Sequence, residues 1–290
     1  MKEGEMSTAA KEDRASTTAP ASTFSRVLVG VDGSDEAIEA ARQAAILADG
    51  PLTLVAAYDI APLIIGATGT GVPAYFDEDL QRTSASEALD RTRQVLGEDN
   101  EVAGKIVRGC PWDVLIQEIN RGRDTLVVVG SHGIGRARGI LVGSTATELV
   151  HKSPCSVLVT RGNARIPKRI VVGVDGSPES ANAYVAARDL AERFGSHLRP
   201  IVDHGGKPVD MDLVRAIAGD GVKETMHEPV RALVGASGIV GLVVVGSRGL
   251  HGLKALGSVS ERVAHQAECS VLVVREAPWQ RVGKPEVNGE

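Results

Sequence analysis

Two short segments of the sequence carry residues whose types and spacing suit the binding of an anionic ligand. Asp32-Gly-Ser follows the apolar run Val27–Val31, and Gly130 opens a second segment of the pattern Gly-x2-Gly-x9-Gly-Ser that closes on Gly143 and Ser144. Glycines let the backbone approach a ligand closely and expose its N–H groups. Ser144 also begins a helical pattern, and the N-terminus of a helix attracts phosphate. The two segments therefore predict a site for a phosphate-bearing ligand.

Other catalytic and metal-binding patterns are missing from the sequence. The run Gly133-Ile-Gly-Arg-Ala-Arg138 has an arginine where a dinucleotide fingerprint needs its third glycine. The sequence has no Gly-Lys-(Ser/Thr) P-loop, no Gly-x-Ser-x-Gly elbow and no histidines at a spacing of four. Asp32 can be a catalytic carboxylate, a metal ligand or the cap of a turn. We favour binding without catalysis and expect no metal site made by the protein alone.

Three blocks of sequence occur twice and in the same order. Residues 26–34 recur as 169–177, residues 126–133 recur as 242–249, and residues 155–159 recur as 269–273. The chain is therefore a tandem duplication. We predict a disordered tail (1–23), copy 1 (24–161), a linker (162–167), copy 2 (168–275) and a second tail (276–290).

Short apolar runs alternate with helical patterns in copy 1. Runs without polar alternation predict strands that are buried on both faces of a parallel sheet. The predicted strands are Val27–Val31, Leu52–Tyr58, Leu126–Val129, Ser156–Val159 and, more weakly, Lys105–Val107. Helical patterns follow Ser34, Pro111 and Ser144. This alternation predicts an α/β protein with two tandem, doubly wound, parallel five-stranded sheets.

The composition excludes several classes of partner. The sequence holds 32 Lys and Arg against 37 Asp and Glu, and only 3% of its residues are aromatic. This balance argues against nucleic acid, which needs cations and stacking rings. The longest weakly polar stretch, Ala232–Gly246, contains three internal glycines and is too short for a membrane span, so we expect no membrane association. The three cysteines cannot form a disulfide framework, which favours a reducing cytoplasm.

With Asp32, the glycine pattern and the Ser-Pro-Cys-Ser-Val-Leu-Val strand in register, both copies resemble the universal stress protein family. The resemblance implies a Rossmann-like fold of the adenine nucleotide alpha hydrolase type with strand order 3-2-1-4-5. It also implies that ATP binds, with Mg²⁺, and that Asp32 holds the adenosine part. Backbone contacts from Ala57 and Val129 would meet the base. The residues that would face the phosphates are Gly130, Gly133, Gly143, Ser144 and the amide of Thr145.

The resemblance further implies that the last strands of the two copies pair antiparallel, as a pseudo-dimer. A homodimer is a further option that the sequence leaves open. For function, it implies a cytoplasmic stress-response module that binds ATP for regulation or signalling. The alternatives are a slow ATP hydrolase or autophosphorylating enzyme, and a scaffold that has lost nucleotide binding.

Copy 2 departs from the pattern of copy 1. Its matching site residues are Asp175, Gly246, Gly249, Gly257 and Ser258, but only seven residues separate Gly249 from Gly257. Asp32 and Asp175 are 143 residues apart whereas Gly130 and Gly246 are 116 apart, so copy 2 lacks 27 residues before its fourth strand. His227 also stands where copy 1 has Gly109. We predict that copy 2 binds nucleotide weakly or not at all.

Several residues and one segment each have two possible roles. His132 and Arg248, at the same position of the two copies, are either ligand contacts or exposed loop residues, and the same holds for Arg136 and Arg138. The segment Ile60–Val72 is either a lid over the nucleotide or part of a dimer interface. Cys155 and Cys269 are expected to be buried and inert rather than a redox pair, with Cys110 as the more exposed thiol.

Overall fold

A computed structural model describes residues 24–59, 77–97, 102–133, 142–205, 208–247 and 259–276. The first tail, the segment Ile60–Val72 and most of the second tail lie outside the described residues. The elements of copy 1 are β1 (Val27–Val31), α1 (Asp35–Leu47), β2 (Leu52–Tyr58), α2 (Glu78–Leu96), β3 (Val102–Arg108), α3 (Pro111–Gly122), β4 (Leu126–Gly130), α4 (Ser144–Lys152) and β5 (Ser156–Thr160).

Copy 2 repeats the same order of elements in shorter form. Its elements are β6 (Arg169–Gly173), α5 (Pro178–Phe194), β7 (His197–Asp203), α6 (Met211–Ala218), β8 (Lys223–Thr225), α7 (Pro229–Ser237), β9 (Leu242–Gly246), α8 (Val259–Gln266) and β10 (Ser270–Val274). Two consecutive elements of copy 2 are shorter than their counterparts in copy 1. Helix α6 has 8 residues where α2 has 19, and strand β8 has 3 residues where β3 has 7.

The ten strands form one sheet in the order β3-β2-β1-β4-β5-β10-β9-β6-β7-β8. The strand order 3-2-1-4-5 therefore holds in each copy, and the predicted α/β fold is confirmed. The two predicted sheets are continuous, because β5 pairs antiparallel with β10 through Val159–Val271 and Leu158–Leu272. Every other strand pairing among the described residues is parallel.

Both faces of the sheet are buried under helices. Alternate residues of β1 show the division: Val27 and Val29 pack with α1 and α2, whereas Leu28 packs on the face of α3 and α4. Burial of each such side chain contributes about 1.5–3 kcal/mol. Gly30 follows on the face of Leu28 and lacks a side chain, so space is left there beside Leu115 of α3.

Candidate functional site

The cavity of copy 1 lies where the strand order reverses. β1 pairs with β2 on one side and with β4 on the other, and helices leave these strands toward opposite faces. Ligands of doubly wound sheets bind beyond the carboxyl ends of the strands at this point. A cavity of about 320 Å³ occupies it. Its lining includes all eight residues predicted for copy 1: Asp32, Ala57, Val129, Gly130, Gly133, Gly143, Ser144 and Thr145.

A tight turn at the end of β1 fixes Asp32. Its Oδ1 accepts hydrogen bonds from the Ser34 amide (3.0 Å) and from the Ser34 hydroxyl (2.6 Å). Ser34 Oγ in turn accepts from the Ala37 amide at 3.1 Å and caps α1. Gly33, with φ of 83°, supplies the left-handed residue of the turn. Asp32 is thus a turn cap, which orients its carboxylate at the rim of the cavity.

Arg91 of α2 holds the same turn from outside, a role that no motif of the sequence predicts. Its guanidinium donates to the Gly33 carbonyl at 2.9 Å and to Asp35 Oδ1 at 2.8 Å. Arg91 lies on α2, which has 19 residues whereas its counterpart α6 in copy 2 has 8, and that difference in length is the signal that singles out this helix. We assign Arg91 as a positioning residue for the Asp32 turn.

The glycine-rich segment is held at both ends beside the cavity. Gly143 donates its N–H to the Ser131 carbonyl at 2.7 Å, and Ser131 donates its N–H to the Thr160 carbonyl at 3.1 Å. Gly133 lies so close to Asp32 that a Cβ there would collide with Asp32 Oδ2. Residues 134–141 between these ends, with Arg136 and Arg138, lie outside the described part of the chain, so their roles stay predictions.

The first turn of α4 faces the cavity. Gly143 is its N-cap residue, and no side chain caps the helix. Ser144, Thr145 and Ala146 line the cavity, whereas Thr147 donates its N–H and its hydroxyl to the Gly143 carbonyl at 3.0 Å each. Backbone donors and the helix dipole at such an end favour an anionic group.

The other end of the cavity is apolar. Val55, Ala57, Val129 and Leu115 line it. A Cβ on Gly30 would lie 3.0 Å from Leu115 Cδ1 and 3.1 Å from Val129 Cγ1, so this glycine keeps the space open. The cavity therefore combines an apolar recess with a polar rim, the arrangement that small-molecule sites share.

His132 is the one imidazole in the described lining of this cavity. Its Nδ1 lies 3.0 Å from the hydroxyl of Ser131, and its side chain is half-buried. The structure thus places His132 in the lining of the cavity, and its role as a ligand contact stays a prediction. Arg248, its counterpart in copy 2, lies outside the described residues.

The corresponding cavity of copy 2 is smaller, about 120 Å³. Asp175 and Gly246 line it, and Asp175 caps the same turn through the Ser177 amide (3.0 Å) and hydroxyl (2.5 Å). The other three predicted residues, Gly249, Gly257 and Ser258, lie outside the described part. Copy 2 therefore keeps the turn of copy 1 around a reduced space.

Asp203 occupies the position in copy 2 that Ala57 has in copy 1. Each is the sixth residue of the second strand when Leu198 is matched with Leu52, which the pairing with the first strand requires. The Asp203 carboxylate lines the cavity and accepts from the Thr225 hydroxyl (2.5 Å) and the His227 amide (3.0 Å). A carboxylate thus lies where copy 1 offers a methyl group.

The change from Gly109 to His227 belongs to the same rearrangement. Gly109 has φ of 141°, which favours glycine, and its N–H donates to the Tyr58 carbonyl at 2.8 Å. His227 has no positive φ, and its N–H turns to the Asp203 side chain instead. The backbone at the rim therefore runs differently in the two copies.

The two cysteines that precede the last strand of each copy are buried. Cys155 and Cys269 are both buried and unbonded to each other, and Cys110 is exposed, as predicted. Burial raises the pKa of Cys155 to about 12 and the pKa of Cys269 to about 11. Both thiols therefore stay protonated at neutral pH, and only the thiolate is reactive.

The fold and the cavity define the class: a tandem, doubly wound α/β protein with a cavity where the strand order of copy 1 reverses. The universal stress protein family model matches residues 23–161 and 236–275. A universal stress protein of Mycolicibacterium smegmatis is 32% identical over 290 residues, covering 86% of this chain and 96% of the relative. One of Mycobacterium tuberculosis is 32% identical over 292 residues, covering 87% and 97%. This chain belongs to the universal stress protein family.

A solved structure supports the fold at lower identity. A universal stress protein from Archaeoglobus fulgidus has a TM-score of 0.65 with 20% identity, covering 87% of this chain and 97% of that one. The relatives are thus of similar length to this chain. None of the helices in the described ranges has the length and apolar character of a membrane span.

Proposed function

We propose that copy 1 binds ATP and that the protein is a cytoplasmic stress-response module that acts through this binding. One observation carries the proposal: the cavity at the ends of β1 and β4 gathers all eight residues that the glycine pattern and the resemblance singled out. Its apolar recess suits adenine, the Asp32 carboxylate suits ribose hydroxyls, and the start of α4 suits phosphate.

Magnitudes support contacts with the whole nucleotide rather than with its phosphates alone. A phosphate at a helix N-terminus gains about 0.3–1 kcal/mol per favourable contact. A micromolar dissociation constant corresponds to about 8 kcal/mol. Base and ribose contacts in the recess of Ala57, Val129 and Leu115 must supply most of the rest. We therefore expect adenosine itself to bind measurably.

Magnesium would arrive with the nucleotide rather than occupy a protein site. The described residues contain no group of three His, Cys, Asp or Glu that could hold a metal ion. Mg²⁺ keeps several waters and is bound largely through substrate phosphates in such sites. Gly143, Ser144 and Thr145 would hold the phosphates, and a bound Mg²⁺ would neutralise part of their charge.

The side chains at the cavity favour binding over fast hydrolysis. Asp32 is the one carboxylate in the described lining, and its Oδ1 is engaged by Ser34 at 3.0 and 2.6 Å. General-base catalysis needs a base within hydrogen-bond reach of an attacking water. A module that keeps ATP intact fits this arrangement better than an ATPase does.

Copy 2 is proposed as the weaker or silent member of the pair. Asp203 lines the recess that would take the base, and three hydrogen bonds, from Gly205, Thr225 and His227, hold its carboxylate there. Copy 2 then serves mainly to bury the edge of copy 1 through β10. Association into a homodimer stays a prediction.

The nucleotide carried by the purified protein tests the proposal. The full chain is denatured, released nucleotides are identified by chromatography, and the refilled protein is incubated with Mg-ATP. Bound ATP that stays intact is expected. Steady release of ADP would instead favour a slow hydrolase. Transfer of phosphate from ATP to the protein would favour autophosphorylation, and a site that stays empty at millimolar ATP would favour the scaffold.

A further inference from the structure

A second and larger cavity lies in copy 2, away from the glycine-rich segment. Its volume is about 960 Å³, and it runs between α7 and the face of β6, β7 and β8 that α7 only partly covers. Buried Val171 and Ile201 form part of its floor, and Ala232 and Ala236 of α7 line its wall. We call this cavity the α7 groove.

Four exposed cations line the α7 groove: Arg169, Arg199, Lys223 and Arg231. None of them forms an ion pair with a residue in the described part of the chain. The one acidic residue in the described lining is Glu224, and its carboxylate lies 3.2 Å from Nε2 of His204. The groove is therefore strongly cationic in a protein whose net charge is −5.

In copy 1, the equivalent cations are neutralised by the chain itself. Arg26, which matches Arg169, lies 3.7 Å from Asp124, and Lys105, which matches Lys223, lies 2.6 Å from Glu118. Burial acts to raise the pKa of Glu118, but hydrogen bonds from Lys105 and Arg121 outweigh it and hold the pKa below its usual range. The Lys105–Glu118 pair is thus ionic in copy 1, whereas Arg26 lies beside a carboxylate, Asp124, whose pKa is raised by burial.

Copy 2 keeps these two cations and replaces their partners. Counting from the shared prolines that begin α3 and α7, Ala236 stands where copy 1 has Glu118. Counting back from Leu126 and Leu242 at the starts of β4 and β9, Val240 stands where copy 1 has Asp124. Loss of both anions leaves Arg169 and Lys223 without an internal counter-charge.

Two further cations are added at the same groove. Arg199 stands where copy 1 has Thr53, and Arg231 stands where copy 1 has Asp113. Four like charges at one groove repel each other, and the arrangement favours an anion that comes from outside. A single chance replacement would not produce this pattern, whereas an anion-binding role accounts for all four positions.

The spacing of the cations indicates more than one anionic group. In the register of the sheet, Arg199 lies opposite Val171 of β6, and Lys223 lies opposite Ile201 of β7. The three cations on the strands, Arg169, Arg199 and Lys223, therefore follow a diagonal across the sheet. Adjacent strands lie about 4.8 Å apart and alternate residues about 6.6 Å apart, which gives steps of about 8 Å between the cations. Arg and Lys are the side chains that bind phosphate best.

We propose that the α7 groove binds a small organic anion that carries two or more phosphate groups beside an apolar body. The phosphates lie against Arg199, Lys223 and Arg231, and the apolar body lies on Val171, Ile201 and the alanines of α7. The volume of the groove is that of a small-molecule site. This site is separate from the cavity of copy 1 and does not depend on ATP binding there.

Two diphosphates serve as probes in calorimetric titrations of the full chain. Inorganic pyrophosphate supplies the charge alone, and geranyl diphosphate supplies the same charge with an apolar chain. We expect both to bind, with geranyl diphosphate at least about tenfold tighter because its chain covers apolar surface. Pyrophosphate binding as tight as that of geranyl diphosphate would contradict the apolar part of the proposal.

Charge variants locate the site. Arg199→Glu combined with Lys223→Glu should weaken both probes at least about tenfold, and the Arg199→Gln, Lys223→Gln pair should fall between this variant and the wild type. Arg188→Glu, on exposed α5, is the matched control and should bind as the wild type does. Gly133→Val, which disturbs the copy 1 cavity, should leave geranyl diphosphate binding intact.

Three results would overturn the proposal. The first is undiminished binding by the folded Arg199→Glu, Lys223→Glu variant, with folding checked by its thermal transition. The second is loss of the probes with Gly133→Val instead, which would place them in the copy 1 cavity. The third is hexaglutamate binding more tightly than geranyl diphosphate, which would assign the groove to an acidic peptide.

Discussion

Arg161 and Arg275 occupy the same position in the two copies, and each reaches across the joint between β5 and β10 to a helix of the other copy. Arg161 donates to the Ala264 carbonyl of α8 at 2.5 Å, and Arg275 donates to the Val150 carbonyl of α4. Val150 and Ala264 are themselves equivalent residues of the repeat. The contact is therefore reciprocal. It connects α4 and α8, the helices that begin at the cavities of copy 1 and copy 2, each to the opposite copy.

Removal of either arginine should destabilise the joint. Arg161→Ala and Arg275→Ala each leave helix-end carbonyls without their donor, and we expect the free energy of unfolding to fall by about 2 kcal/mol. Arg275 should show the larger effect because it is only 8% exposed and also donates to the Ser153 carbonyl at 2.7 Å. Urea unfolding followed by circular dichroism measures both.

Arg188→Ala is the control for these two variants. Arg188 is exposed on α5, and its ion pair within the described residues is with Glu192, one turn away, at 3.6 Å. Such a surface pair contributes less than about 1 kcal/mol. Losses of the same small size for Arg161→Ala and Arg275→Ala would show that the reciprocal contact does not hold the copies together.

Gly133→Ala should weaken ATP binding without unfolding copy 1. The added methyl group would collide with Asp32 Oδ2, and Asp32 is fixed by Ser34, so either the carboxylate or the glycine-rich segment must shift. We expect the dissociation constant to rise at least about tenfold. Gly221→Ala, where an added Cβ meets nothing within 4 Å, is the matched control. Unchanged affinity in Gly133→Ala would show that this contact does not shape the site.

Labelling with a thiol reagent should distinguish the three cysteines. Cys110 is exposed, whereas burial raises the pKa of Cys155 to about 12 and that of Cys269 to about 11. The native protein should therefore react rapidly at one thiol and the denatured protein at all three. Mass spectrometry of tryptic peptides identifies the labelled residue. Rapid native labelling of Cys155 or Cys269 would refute their protected environment.

His265, which lies between α8 and α4, should make the free energy of unfolding depend on pH. His265 lies with Nε2 3.3 Å from the Thr147 hydroxyl, and burial lowers its pKa below 6.5, although Glu261 acts to raise it and Arg161 and His151 lower it further. Between the lowered pKa and 6.5, the unfolded chain binds more protons than the folded chain. The free energy of unfolding should therefore fall as the pH drops below 6.5.

His265→Gln isolates this contribution. Unfolding is measured at about pH 7.5 and about pH 5.5, and the difference should be smaller in the variant than in the wild type. His197→Gln, an exposed histidine of β7, serves as the control and should keep the wild-type difference. An unaltered difference in His265→Gln would mean that this residue does not carry the effect.

The central strands and the copy 1 site were predictable because their signals are local. Strands such as Leu126–Gly130 are buried on both faces and read as unbroken apolar runs. β3 gave a weaker signal because it lies at the edge of the sheet, where Lys105 and Ile106 are exposed. The turn at Asp32 and the start of α4 follow from short motifs.

The remaining features depend on contacts between residues that lie far apart in the sequence. Arg91 lies on a largely polar helix and meets Gly33 from 58 positions away. Asp203 is recognised as the counterpart of Ala57 only once the register of β7 against β6 is known. The α7 groove likewise requires residues of three strands and a helix to be placed together. Such relationships follow from tertiary packing and not from local pattern.

A calorimetric titration of the full chain with Mg-ATP, alongside Asp32→Ala and Asp175→Ala, tests the central claim most directly. The two aspartates make the same turn, so the variants share any loss of stability, but only Asp32 lines the cavity of copy 1. We predict one tightly bound ATP per chain, weakened at least about tenfold in Asp32→Ala and unchanged in Asp175→Ala. Two equivalent ATP sites, or equal losses in both variants, would contradict it.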